Sequence, residues 1–427
     1  SHNCAIKNLS IRSFKAEMVP QSSALYRIAP SPPSTLSQAE SISSTSSVLD
    51  SSSEASDVES ATSSSHFDLP QSTNILSSPF NYKELAALQG HTAPVSSLAL
   101  CGEFILTASE GKDMIVWQQP FLNIFARFGQ GDGAIKSIVT AGHKIFSAHQ
   151  DGKIRVWKIS RNEENAFKFL GTLPTITNYF QKFMNQSNYV AFRRHKKKLW
   201  IEHVDTVSCL SVSEGLLYSG SWDKTIKVWR ISDLKCLESI QAHNDAINAL
   251  VACKGAVYSA SADGKIKVWE KEGKGSSKKL CLKGILEGHR GVSVNTVAVS
   301  DDGKWVYGGG SNGYVFGWEG SGDLMRWRLV SETKVHAKAV LCLCLKGEFM
   351  CCGSADGSIG VWRREAYGRM SKLGDMVGHK GPVKCLQASP NNVCNGFLLY
   401  SGSFDKSLRV WWVPITVSKP KIIYQVV

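Results

Sequence analysis

Seven times between residues 84 and 413 a short alternation of apolar and polar residues runs into a tryptophan: Trp117, Trp157, Trp229, Trp269, Trp318, Trp362 and Trp411. The stretches read MIVW, KIRVW, TIKVW, KIKVW, YVFGW, SIGVW and SLRVW. A histidine stands upstream of six of them, at His91, His203, His243, His289, His336 and His379, and four of the six lie 26 residues before their tryptophan. Residues 236–269 show the unit. Residues 236–241, 247–251, 256–259 and 266–269 each have the length and pattern of a strand. Asp263-Gly264 separates the last two and suits the positive-φ turn of a tight hairpin. Four short strands in about forty residues form one blade of a β-propeller. A blade cannot bury both faces alone, so blades stack in a ring. The expected fold is all-β, a seven-bladed propeller over residues 80–427.

Four blades repeat the same polar set: His203/Ser221/Asp223/Trp229, His243/Ser261/Asp263/Trp269, His336/Ser354/Asp356/Trp362 and His379/Ser403/Asp405/Trp411. The histidine and the hairpin aspartate can meet across the blade edge. The serine two residues before the aspartate is expected to join them to the indole N–H. A His–Ser–Asp set resembles a hydrolase triad, but a catalytic site needs one copy, whereas a blade staple needs one per blade. The structural role is therefore favoured, since a paired buried network rigidifies. Gly111 replaces the aspartate in blade 1. Blade 2 has Gly131 for the histidine and His149 for the serine, and blade 5 has Asn312 for the aspartate and Gly310 for the serine. These three blades are expected to be less tightly stapled.

On these residues the chain resembles the WD40 repeat family over about residues 84–413. The residue after each tryptophan is never aspartate, so the longer Trp-Asp-x-Arg signature of cullin-ligase substrate receptors is missing. The stretch from Arg193-Arg194-His195 to Leu199-Trp200-Ile201, with Val207-Ser208-Cys209-Leu210 and Thr172-Leu173-Pro174-Thr175, is similar to a plant WD40 subfamily, the JINGUBANG-like proteins. That resemblance implies a non-enzymatic, regulatory protein. The WD40 part of myosin heavy chain kinases is also similar, but no kinase domain accompanies it here.

Ring closure needs a strand from the far end of the chain, and either residues 84–89 or residues 422–427, in the tail 414–427, could fill that slot. Trp157 and Trp229 are 72 residues apart, against 40 for Trp229 and Trp269, so about 161–198 forms an insertion between blades 2 and 3. If residues 167–173 form the outer strand of blade 2, the insertion rises on the hairpin face. If residues 198–201 do, it hangs from the side or the opposite face. Its aromatics, Tyr179, Phe180, Phe183, Tyr189 and Phe192, are expected to pack it onto the propeller side. The basic run Arg193, Arg194, Lys196, Lys197 and Lys198 reads as a nuclear import signal, a site for an acidic partner or a solvated strand flank.

Composition adds a second region. Residues 31–66 hold sixteen serines in thirty-six positions and no aromatic residue, so residues 1–79 are expected to form a disordered arm. Ser47, Ser51 and Ser56 each stand three residues before an acid, and Ser31 and Ser78 precede prolines, which suits phosphorylation. The arm carries four Lys/Arg against seven Asp/Glu, and the net charge is +13, so the remainder carries about +16. A basic body favours acidic partners. Twelve cysteines show no Cys-x-x-Cys pair and no zinc spacing, which suggests a reducing compartment, cytoplasm and nucleus. No apolar run suggests a membrane span or a secretory leader.

No phosphate loop, His-Glu-x-x-His or Gly-x-Ser-x-Gly motif occurs, so no catalytic residue, metal, cofactor or small-molecule substrate is assigned. In the resembled fold the residue before each hairpin aspartate faces outward: Glu110, Gln150, Trp222, Ala262, Ser311, Ala355 and Phe404. Trp222 and Phe404 suit interface anchors. Arg290, Lys338, Lys380 and Asp205 lie on loops nearby. The sequence thus points to a monomeric scaffold for other proteins, through acidic or phosphorylated segments such as those of transcription regulators. A nucleic-acid or chromatin binder using the basic insertion is the alternative.

Overall fold

A computed structural model describes residues 80–129, 133–159, 166–193, 196–273, 279–321 and 326–415, without the side chains of 191–196. The Ser-rich arm 1–79 and tail residues 416–427 therefore lie outside the described residues.

The alternating segments pair as expected. Seven four-stranded antiparallel sheets follow one another, each running from an inner to an outer strand. They occupy residues 95–128, 135–173, 207–241, 247–287, 294–334, 340–376, and 383–414 with 83–89. We number them blades 1 to 7 in that order. The open question of closure is resolved in favour of the earlier segment. Strand Lys83–Gln89 pairs antiparallel with Ser407–Pro414, from Lys83 opposite Trp412 to Gln89 opposite Ser407. Arg409 donates to both carboxylate oxygens of Glu84 at 2.7 Å and locks this outer strand.

Apolar side chains fill the seams between blades. Val95, Ile135, Val207, Ile247, Val294, Val340 and Val383 start the seven inner strands and are buried. The second strands bring very small residues against them. A Cβ on Gly402 would come within 2.6 Å of Val95 across the seam between blades 7 and 1, and one on Gly309 within 2.6 Å of Val340. Glycine here permits close approach of neighbouring sheets. Polar side chains then tie the inner strands together. Ser96 Oγ donates to the Ile135 carbonyl at 2.6 Å, Ser208 Oγ to Ile247 at 2.5 Å, and Asn248 Nδ2 to Val294 at 2.9 Å. Asn295 Nδ2 donates to Val340 at 3.0 Å, which continues the same chain of links. Inner-strand residues surround a central channel of about 470 Å³.

Each blade also carries an irregularity at the second position of its inner strand and one just before the tryptophan or beside it, and blade 7 adds a third between Ala388 and Asn392. Bulges of this kind raise local strand twist.

Candidate functional site

The staple is present, with a different serine at its centre. In blade 3, Trp229 Nε1 donates to Ser219 Oγ at 2.9 Å, and Ser219 Oγ meets His203 Nε2 at 2.8 Å. His203 Nδ1 meets Asp223 Oδ2 at 2.9 Å. Ser221, expected to reach the indole, instead accepts from the Asp223 backbone N–H at 3.0 Å and shapes the hairpin. The reason is depth: Ser221 sits at the mouth of the hairpin, while Ser219 lies two residues further down the strand, level with the indole. Blade 4 repeats the relay through Ser259 with His243, Asp263 and Trp269, while Ser261 holds the hairpin. Blade 7 repeats it through Ser401 with His379, Asp405 and Trp411, while Ser403 holds the hairpin. The relay residue stands ten positions before its tryptophan each time. That constant offset was the signal available in the sequence.

The blades expected to be loose divide. Blade 1 is fully stapled, because Asp113 rather than position 111 supplies the carboxylate. His91 meets Asp113 at 2.9 Å and Thr107 at 2.7 Å, and Trp117 donates to Thr107 at 2.9 Å. Blade 2 takes its histidine from the strand itself. His149 meets Ser147 at 2.9 Å and the Gly133 carbonyl at 3.3 Å, and Trp157 donates to Ser147 at 3.0 Å. Gly131 lies outside the described residues. Blade 5 lacks the relay: Asn312 Nδ2 meets His289 Nδ1 at 3.2 Å, and His289 turns out to Glu332 at 2.5 Å. In blade 6, His336 meets Asp356 at 3.2 Å, but Cys352 stands at the relay position. The buried Trp362 Nε1 there faces only the Cys352 sulfur, while Ser354 holds the hairpin N–H of Asp356 at 3.1 Å.

Electrostatics fix the protons. Burial lowers the pKa of His203, His243 and His379, outweighing the pull of their aspartates, so these rings are neutral. Burial pushes the Asp113 carboxyl up, but hydrogen bonds from His91 and Ser109 and the His91 charge bring it down to about 2. Asp223 is held well below the usual range: burial opposes this, and the His203 hydrogen bond and, in acid where that ring is protonated, its charge dominate. In blades 3, 4 and 7 the set is thus one directed chain, from indole N–H to hydroxyl to Nε2, with Nδ1–H donating to carboxylate. Every donor and acceptor is committed, and none is left to activate a nucleophile.

The hairpin tips carry the exposed chemistry. Trp222 is 41 % exposed and Phe404 40 %. Their backbones are pinned: Trp222 N–H donates to Thr206 at 3.0 Å and Phe404 N–H to Pro382 at 2.9 Å. The hairpin position two residues after each holds a left-handed conformation, at Lys224 with φ 72° and Lys406 with φ 69°. Blade 1 also has a lysine there, Lys112 with φ 76°, while blades 2, 4, 5 and 6 place glycine, at Gly152, Gly264, Gly313 and Gly357. Blades 3 and 7 lie on opposite sides of the ring, three blades apart one way and four the other. Gln150, Ser311, Arg290, Lys338, Lys380 and Asp205 are exposed, while Ala262 and Ala355 are half-buried. Glu110 is half-buried and takes Lys136 as an ion partner at 2.8 Å.

The insertion differs from expectation. Strand Phe167–Leu173 is the outer strand of blade 2, so the insertion leaves from the hairpin face. It does not stay there. Helix α1, Ile176–Phe183, is capped by Thr175 and tied by Asn178 Nδ2 to the Leu234 carbonyl at 2.9 Å. Leu234 lies in the turn before the outer strand of blade 3, at the other end of the strands, so α1 runs down the side. The hairpin of Tyr189–Arg193 with Lys196–Leu199 returns the chain. Leu199 and Ile201 are buried in the core between blades 2 and 3, with Tyr189 and Trp200 packed against it. Phe180 and Phe183 do not hold the insertion down: they are 73 % and 56 % exposed. Lys197 is exposed and Lys198 half-buried. Arg194 lies outside the described residues, as do the side chains of Phe192, Arg193 and Lys196. Among the described residues no three His, Cys, Asp or Glu side chains converge as a metal site requires.

The sequence profile of the WD domain, G-beta repeat matches residues 82–118, 195–230, 234–270, 280–319, 327–363 and 370–411, more than half of the chain. It passes over blade 2, where the histidine comes from the strand. The chain is 24% identical over 216 residues to the small ribosomal subunit protein RACK1y of Oryza sativa subsp. japonica, covering 49% of each. It is 24% identical over 279 residues to an F-box/WD-40 repeat-containing protein of Arabidopsis thaliana, covering 64% of this chain and 47% of that protein. A RACK1 protein of Medicago sativa is 30% identical over 146 residues, covering 31% of this chain and 42% of the relative. The chain thus spans less than half the length of each of these curated relatives.

Proposed function

The chain belongs to the WD40 repeat family, and from that premise we propose that it is a non-catalytic, regulatory scaffold that holds partner segments on its hairpin face. Propellers of this family generally bind other proteins. The observation that carries the reading is the pair of aromatic-Asp-Lys tips. Trp222 and Phe404 stay exposed on backbones that hydrogen bonds fix. A non-glycine residue in the left-handed region costs about 1–2 kcal/mol, and such strain concentrates where function retains it. Here it places a lysine beside each aromatic. An apolar anchor flanked by cations, with Arg290, Lys338 and Lys380 on nearby loops, suits acidic or phosphorylated segments, such as those of transcription regulators.

The finer parts of the proposal follow the same reading. The protein works as a monomer in the cytoplasm and nucleus of a plant cell, within the JINGUBANG-like subfamily. None of the eleven described cysteines is in a disulfide, which supports a reducing compartment. The committed state of the His–Ser–Asp sets of blades 3, 4 and 7 supports the absence of catalysis. An alternative reading, as a nucleic-acid or chromatin binder, is supported by the basic hairpin that exposes Lys197.

Affinity capture with mass spectrometry distinguishes them, using the intact chain, the Trp222→Ala/Phe404→Ala variant and a chain lacking residues 176–198. Loss of a specific protein set with the two alanines is expected. An unchanged set sinks the hairpin-face reading. Loss confined to the deletion, with the remainder removed by nuclease, favours nucleic acid, whose affinity also falls steeply with salt.

A further inference from the structure

We propose that the exposed face of α1 is a second docking site, one that takes an acidic amphipathic helix from a partner protein. The helix is inverted relative to an ordinary surface helix. Its one buried residue is the polar Asn178, held to the Leu234 carbonyl. Its apolar stripe faces outward at helical spacing: Ile176 is 76 % exposed, Tyr179 38 %, Phe180 73 % and Phe183 56 %. A surface helix normally turns such a stripe to the core, and contiguous exposed apolar patches mark interaction sites.

The stripe forms one wall of a cavity of about 500 Å³. The facing wall is the blade 2 hairpin around Asp151 and Lys153, and Leu173 and Pro174 lie between them. That volume is in the range of sites that hold compact apolar groups.

Charge selects the occupant. The two carboxylates at the groove are already engaged. Asp151 is paired with Arg155 at 2.6 Å, and Glu202 accepts from the Tyr179 hydroxyl and from the Leu199 N–H. Lys153 at the hairpin is exposed, and Lys198 of the returning strand lines the same groove. An occupant with carboxylates flanking its apolar residues matches this rim. A second copy of the same face does not match. Residues 176–183 contain no carboxylate and include Lys182, so two copies would bring like charges together. A helical occupant fits better than an extended one. The backbone of α1 bonds within itself and offers no strand edge, whereas side chains at i, i+4 and i+7 are the pattern that a second helix reads.

This site is separate from the Trp222/Phe404 tips, and the test keeps the two apart. The full chain is used to select from a displayed library of helical peptides, and enriched peptides are then measured by fluorescence anisotropy. Acid-rich sequences with large apolar residues at helical spacing are expected. Their affinity should fall at least about tenfold on Phe180→Ser/Phe183→Ser, fall less on Lys153→Glu, and stay unchanged on Trp222→Ala/Phe404→Ala. Because Phe180 and Phe183 are exposed, the serine variant should keep its unfolding temperature, which is measured alongside. Enrichment of basic peptides, or equal binding to the serine variant, overturns the proposal. So does a concentration-dependent dimer that the serine variant abolishes in sedimentation, since the face would then belong to a second copy.

Discussion

Blades 3 and 5 share four strands, the same two irregularities and a tryptophan buried in the same place. Their interiors are otherwise opposite. Blade 3 threads indole, hydroxyl, imidazole and carboxylate into one chain of bonds. Blade 5 has Gly308 where the hydroxyl would be, and its histidine leaves for Glu332. Below that histidine lies Phe316, 1 % exposed, at the position of Lys227 in blade 3. A blade can therefore be built on apolar packing alone. The staple is a polar layer added to a sheet that forms without it, and a member missing from it leaves a buried group without a partner, as at Trp362 in blade 6.

The sharpest break of this comparison is Ser219→Ala. It strands two buried groups at once, Trp229 Nε1 and His203 Nε2. Orphaned buried groups cost about 1–3 kcal/mol each, so a loss of about 2–6 kcal/mol is expected in urea unfolding. A loss under about 0.5 kcal/mol, within ordinary surface variation, would mean that the relay contributes little.

Acid should act next, and with a defined sign. His149 is brought down to about 4, first by burial and then by the Arg155 charge. A group whose folded pKa lies below its unfolded value of about 6.5 stabilises the fold while neutral. That contribution is complete above pH 6.5 and is lost as pH falls toward 4. The lowered values of His203, His243 and His379 act in the same direction. Asp113 and Asp405, each at about 2, hold their contribution above about 4 and lose it on further acidification. The urea midpoint should therefore fall steadily from pH 7 to pH 4 and more below. A flat profile between pH 7 and 4 contradicts the neutral-histidine assignment.

The smallest effect completes an incomplete staple. Cys352→Ser in blade 6 supplies a hydroxyl beside the buried Trp362 Nε1, as Ser219 does in blade 3. A gain of about 1 kcal/mol is expected, the usual net value of such a bond. Destabilisation would show that the sulfur's packing matters more than the missing acceptor.

How far the sequence could be read follows from the same contrast. Strand period, the tryptophan ladder and the positive-φ hairpins are local, so the blades and their number were legible. The relay was not. Ser219 and Ser221 alternate onto the same face of one strand, and only their depth relative to the indole tells them apart. Blade 1 was misjudged because its hairpin holds Asp113 two residues later than the repeat predicts. Closure by residues 83–89 depends on a contact across the whole chain. The insertion misled for another reason: its aromatic spacing follows a rule that apolar stripes face inward, and α1 is anchored by an asparagine instead.

Closure by the first strand also sets a timetable. Lys83–Gln89 leaves the ribosome long before its partner, residues 407–414. At about 5–20 residues per second the wait is on the order of half a minute. Throughout that interval the strand's backbone groups are unpaired, and Val95 lacks the glycine of blade 7 that will cover it. The nascent ring is an open stack with two sticky ends, and neither is protected until residues 407–414 have been made. Among the described residues the earliest strand made is the last to be used, so a chain that stops short of blade 7 has no closed state to fall back on.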